Sequence, residues 1–271
     1  MLRFMLRSSL LALVATPVLL VGCGRDVARN TVAPATDLPS SAINRTADPD
    51  HMRGGFGLAR VKFVHASPDA PAVDIRVGWR KAAEDLAFPQ DTRYLRLLPG
   101  WRDIKVNVAN TRTTVIAARL KLRPRMNYSV FAVNTVANLE PLVLTDDLTR
   151  PAAGKAHVRF IHLSPDAPAV DIAVQGGPVV FPNKSFKDYT PFTPLPAGTY
   201  DLEVRLAGTD QVVLPLPGIM LEAGKIYTVF AKGLVGGTGE QALGAQIIVN
   251  SVDRNRWEQV ADAEGAVEDL R

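Results

Sequence analysis

Short runs of alternating apolar and polar residues dominate the middle of the chain, at Val61–Ala66, Val73–Val77, Arg102–Ala109, Thr113–Leu120 and Tyr128–Asn134. They are rich in β-branched and aromatic side chains, and Pro, Gly, Asn and Asp interrupt them at roughly eight- to twelve-residue spacing, the rhythm of antiparallel strands closed by turns. The pattern predicts an all-β fold of sandwich or barrel type, with about seven strands to a domain. Alternation turns Phe63, Val73, Ile75, Ile104, Val106, Val108, Tyr128 and Val130 inward. No segment sustains a long helical period, and only Trp79–Leu86 reads as a helical turn.

The pattern occurs twice. Residues Val61–Val77 return as Val158–Val174 with 13 of 17 positions identical. The likeness continues as Leu98-Pro-Gly against Leu195-Pro-Ala-Gly, and as Tyr128-Ser-Val-Phe-Ala against Tyr227-Thr-Val-Phe-Ala. An offset of 97 to 99 residues is the size of a whole domain rather than of a solenoid repeat, so the chain is read as a tandem duplication. The two domains are expected at 58–150 and 151–252, joined near Arg150–Lys155.

The ends differ from this middle. Residues 1–22 carry Arg3 and Arg7, then an apolar stretch from Leu10 to Val21, the layout of a secretory leader. That stretch is shorter than the roughly 20 residues of a membrane-spanning helix and contains Pro17. It ends in Leu20-Val21-Gly22-Cys23, which resembles the bacterial lipobox, so Cys23 is expected to be acylated and to become the first mature residue. Two or three acyl chains, at about 0.8 kcal/mol per buried CH₂, would hold the protein on a membrane. By resemblance to Gram-negative lipoproteins, Gly24 in place of Asp permits transport to the outer membrane, facing the periplasm or the surface. Residues 23–57 are polar and rich in Pro, Ala, Thr and Ser, the composition of a flexible tether reaching roughly 30 Å. His51 falls in this tether and has no assigned role. Residues 253–271 form a polar tail, either frayed or a short helix resting on Trp257 and Val260.

Composition and charge narrow the function classes. A chain that is 47% apolar and 21% charged is ordinary for a globular protein, and one cysteine allows no internal disulfide. Two of the four excess positive charges are Arg3 and Arg7, and no basic run occurs elsewhere. No nucleic-acid partner is indicated.

The repeated segment holds the ingredients of chemistry: Ser67, His65, Asp69 and Asp74, and again Ser164, His162, Asp166 and Asp171. Ser67 precedes Pro68 at the start of a type I turn, whereas a nucleophilic serine needs an exposed elbow with a base on one side. His65 shares the face of Val61 and Phe63 and is read as a structural histidine donating to a carbonyl or carboxylate. The functional alternative is a metal held by His65, Asp69 and Asp74, with His162, Asp166 and Asp171 as its copy, serving a metal-binding protein or metal-dependent hydrolase. His157 and His162 point to opposite strand faces and cannot chelate together. Asp74 and Asp171 are read as solvated or paired with a base on a neighbouring strand. Trp79 and Trp101 lie beside turns, where burial at a sheet edge is preferred and stacking on a sugar or a peptide aromatic is the functional alternative.

The element His-x-Ser-Pro-Asp-Ala-Pro-Ala-Val-Asp at His65–Asp74 and His162–Asp171, with the Leu-Pro-Gly and Tyr-x-Val-Phe-Ala elements, resembles the domain of unknown function 4397 family over roughly residues 59–250. That resemblance implies immunoglobulin-like or transthyretin-like β-sandwiches, often tandem and often lipid-anchored, and it brings no catalytic residues and no cofactor. The combined expectation is a non-enzymatic, lipid-anchored envelope protein whose partners are the membrane and an envelope protein or polysaccharide.

Overall fold

A computed structural model describes residues 57–250. The leader, Cys23, the tether and the C-terminal tail lie outside the described residues. Both repeats fall within one compact unit.

The first repeat contains β1 (Ala59–His65), β2 (Val73–Val77), β3 (Arg80–Leu86), β4 (Leu95–Leu97), β5 (Gly100–Val108), β6 (Thr114–Leu122), β7 (Asn127–Val133) and β8 (Glu140–Asp146). The second contains β9 (Lys155–His162), β10 (Val170–Val174), β11 (Val179–Lys184), β12 (Thr193–Pro196), β13 (Gly198–Leu206), β14 (Val212–Leu221), β15 (Ile226–Lys232) and β16 (Gly244–Val249). Each repeat is thus a sandwich of two four-stranded sheets, ordered β4-β1-β7-β8 over β3-β2-β5-β6, and β12-β9-β15-β16 over β11-β10-β13-β14. Pairing is antiparallel except for β1 with β7 and β9 with β15.

Each sandwich has eight strands, four to a sheet, where about seven were expected. Trp79–Leu86 is not a helical turn: Arg80–Leu86 is β3, antiparallel to β2. Its Arg, Lys, Ala and Glu are good helix formers, but propensity is a small term, and the sheet overrides it by packing Ala82 and Ala83 on the core. A break in register between Ile75 and Arg76 lets both adjacent alanines face inward.

The inward residues expected from alternation are buried, apart from Val108, which is half-buried. Phe63, Val73, Ile75, Ile104, Val106, Tyr128 and Val130 form the core of the first sandwich. Phe160, Val170, Ile172, Val204, Tyr227 and Val229 form that of the second.

A third core joins the modules. Val64, Ala66, Phe131 and Leu144 on the outer face of one sheet pack with Ile161, Leu163, Phe230 and Ile248 on the other. Phe131 and Phe230 meet edge to face at 6.0 Å. These are matching positions of the two repeats, so the contact is self-complementary, like the interface of a two-fold dimer built into one chain. With both faces covered, nearly every residue of β1, β7, β9 and β15 is buried, Lys62 and Arg159 among them.

Candidate functional site

The repeated motif is consumed in holding its own loops. His65 is buried, and its Nε2 lies 3.0 Å from the Pro71 carbonyl; His162 makes the equivalent contact to Pro168 at 3.2 Å. Burial lowers the pKa of both rings, so each is neutral and donates from Nε2. Ser67 and Ser164 are fully buried and donate to Asp69 and Asp166 at 3.5 and 3.3 Å.

Asp69 also accepts from the backbone N–H of Val136 at 2.8 Å, and Asp166 from that of Val235 at 3.0 Å. Each ties the motif loop to the loop that follows the seventh strand of its module. Asp74 accepts from the N–H groups of Asp85 (3.0 Å) and Asn110 (3.4 Å), and Asp171 from Asn183 (2.6 Å) and Gly208 (2.9 Å). These bonds hold both carboxyls below the usual aspartate range.

Asp74 and Asp171 are therefore buried rather than solvated. Asp74 does pair with the neighbouring strand's Lys81, at 3.3 Å. The serines have no exposed elbow, and the histidines point at carbonyls rather than at the serines. Among the described residues no group of three or more His, Cys, Asp or Glu stands where a metal could be held, so the alternative metal reading finds no converged ligand set.

The tryptophans depart from the burial expected of them. Trp79 is 78% exposed and Trp101 54% exposed. Trp79 sits in the two-residue turn between β2 and β3, where the positive φ of Gly78 (58°) makes the tight turn and leaves the indole at its tip. The Arg80 guanidinium lies 4.7 Å from the Trp79 ring centroid. Trp101, on β5, has Arg119 and Lys121 of β6 beside its ring at 5.4 and 5.9 Å.

Trp79 lines a cleft of about 660 Å³ between two edge strands of the first sandwich, β3 of one sheet and β4 of the other. Val77, Ala82, Leu95, Leu97 and Leu98 supply apolar lining. Arg80, Lys81, Arg93, Arg96 and Arg102 supply positive charge, and no carboxylate lines it. The Lys81 ammonium bridges Glu84 (3.1 Å) and Asp74 (3.3 Å), which raise its pKa and keep it charged. Arg102 is held over the β4–β5 turn by the carbonyls of Leu98 (2.8 Å) and Pro99 (2.7 Å). Sequence reasoning singled out Trp79 but missed the cleft, because its basic residues come from β3, from β4 and the segment before it, and from β5, which line one cleft only once the sandwich closes.

Residues 59–173 match the family model of the domain of unknown function DUF4397. The DUF4397 match spans the whole first sandwich and runs into β10 of the second. No curated protein matches the chain. Among solved structures, a family 26 carbohydrate-binding module from Eubacterium rectale, in complex with maltoheptaose, aligns at a TM-score of 0.22 and 9% identity, covering 72% of this chain and 98% of that one. At that score the likeness transfers neither site nor ligand. The strand pairing also places Leu97, not Leu98, opposite the position that Leu195 holds in the second repeat. The one-residue gap inferred from sequence at Leu-Pro-Gly is therefore unnecessary.

Proposed function

We infer that this is a non-enzymatic binding protein of the cell envelope, anchored through acylated Cys23, that takes a saccharide in the β3–β4 cleft of its first sandwich. The observation that carries the binding reading is Trp79. An indole left 78% exposed beside a concave, partly apolar cleft is the kind of platform on which a sugar ring stacks. The repeated motif is spent on backbone, so the binding reading rests on the cleft beside Trp79. The envelope part rests on the leader and the Leu-Val-Gly-Cys box.

Two experiments test the two parts. Retention of the full-length, detergent-solubilised protein on immobilised envelope polysaccharide, lost in Trp79→Ala, supports the binding reading; equal retention of the variant contradicts it. Mass spectrometry of the native protein is expected to find a chain starting at Cys23 and carrying a diacylglycerol adduct. An intact leader or an unmodified thiol would remove the anchor.

A further inference from the structure

The geometry points to an anionic saccharide chain, bearing carboxylate or phosphate groups, as the occupant of the β3–β4 cleft, and to the first module alone as its binder. The inference rests on the saccharide reading of that cleft and adds the charge of the ligand and a division of labour between the modules.

Charge is the first argument. Five cations line the cleft with no carboxylate in its lining, and of the five Lys81 is already paired with Glu84 and Asp74. A concave surface of one sign focuses its field outward and concentrates ions of the opposite sign. Four of the five are arginines, whose planar forks match carboxylate and phosphate oxygens two at a time. Arg80 and Arg93 are solvent-exposed at the cleft wall. The exposed Trp79 ring stands beside them as an apolar platform, so charge and stacking converge on one short stretch of ligand.

The second module is an internal control. At the strand positions of Arg80 and Lys81 it carries Pro178 and Val179, at that of Arg96 it carries Pro194, and its turn Gln175-Gly176-Gly177 has no aromatic residue. Tyr200 replaces Arg102 and holds the same turn, its Oη donating to the Pro196 carbonyl at 2.8 Å. Exposed sheet edges need protection against pairing with other chains, which either charge or proline supplies. The second module meets that need with Pro182, Pro194 and Pro196 in its edge strands β11 and β12. The fold therefore does not require the cations of the first module, and their concentration around Trp79 is explained by a ligand.

Single-stranded nucleic acid is normally held along a groove with successive aromatic platforms, whereas one tryptophan serves this cleft. A saccharide with spaced acidic groups fits better.

The test is titration calorimetry on the full-length, detergent-solubilised protein. The probes are oligogalacturonate for carboxylate and a glycerol-phosphate oligomer for phosphate. Neutral dextran oligomers, a single-stranded oligonucleotide and anionic vesicles are the comparison arms. One or both acidic saccharides should bind, more weakly as salt rises. The double variant Arg80→Gln/Arg93→Gln should lose about tenfold or more in affinity, with an unchanged circular dichroism spectrum. Dextran binding as tightly, with the variant unaffected, overturns the anionic inference while leaving the saccharide site standing. Absence of any saccharide binding overturns both. Oligonucleotide or vesicle binding of equal strength through the same two arginines replaces the inference with a general polyanion surface.

Discussion

Asp146 at the end of β8 and Arg159 in β9 form an ion pair of 2.8 Å across the junction of the two modules, with side chains 0% and 2% exposed. Charges so deeply buried are tolerable only within a network. Tyr94 and Ser129 each donate to the second Asp146 oxygen at 2.6 Å, and Arg159 donates to Thr228 at 3.1 Å. Thr228 donates to Asn250, whose amide reaches back to Tyr94 at 2.9 Å. Members come in matched positions of the two repeats: Ser129 with Thr228, and Asp146 with Asn250.

Removing one partner of this pair should cost far more than the pair itself contributes. Asp146→Ala strands a buried guanidinium and is expected to destabilise the protein by about 3–5 kcal/mol. Replacing both partners with apolar residues of similar volume should cost much less. Denaturant unfolding of the single and double variants checks this, and equal losses would contradict it.

Asp74 and Asp171 act as loop clamps. Asp74→Ala leaves the N–H groups of Asp85 and Asn110 without their acceptor, and Asp171→Ala does the same to Asn183 and Gly208. A loss of about 1–3 kcal/mol is expected from each substitution. Amide exchange should accelerate at the named residues, which lie 11 to 37 positions away in sequence. Faster exchange confined to the mutated residue's own neighbours would argue against clamping.

Acid should weaken the fold in two stages. His65 and His162 have pKa values lowered from 6.5 by burial, so below pH 6.5 the unfolded chain takes up protons that the folded chain refuses. Stability is full above 6.5 and declines as pH falls through the folded-state values. Asp74 and Asp171 are lowered from 3.8 by backbone donors, and their contribution is lost in turn as pH drops below that value. The double variant His65→Gln/His162→Gln should flatten the first stage and leave the second. Unchanged wild-type stability between pH 7 and 5 would contradict the burial of neutral imidazole.

Much of this architecture could be read from residue order alone, for reasons visible in particular strands. β2 coincides with the expected Val73–Val77 because its three apolar residues face a single core. Alternation failed at Val64, Phe131, Ile161 and Phe230. It assigns them to an outer face, and that face is buried only because a second copy covers it. β3 escaped because its composition favours helix and its pairing is tertiary. Of the site, Trp79 was visible as an aromatic at a turn, but its exposure was not. The roles of Asp69 and Asp166 were hidden because their partners stand 67 and 69 residues further on.

The proposed ligand binding belongs to the β3–β4 cleft of the first module and not to the repeated motif. Amide exchange of the full-length protein with and without a bound acidic oligosaccharide tests it most directly. Protection confined to Trp79–Ala82, Arg93–Leu98 and Arg102 is the predicted result. Protection centred on His65–Asp74 and His162–Asp171, or shared equally by the second module, would contradict the account.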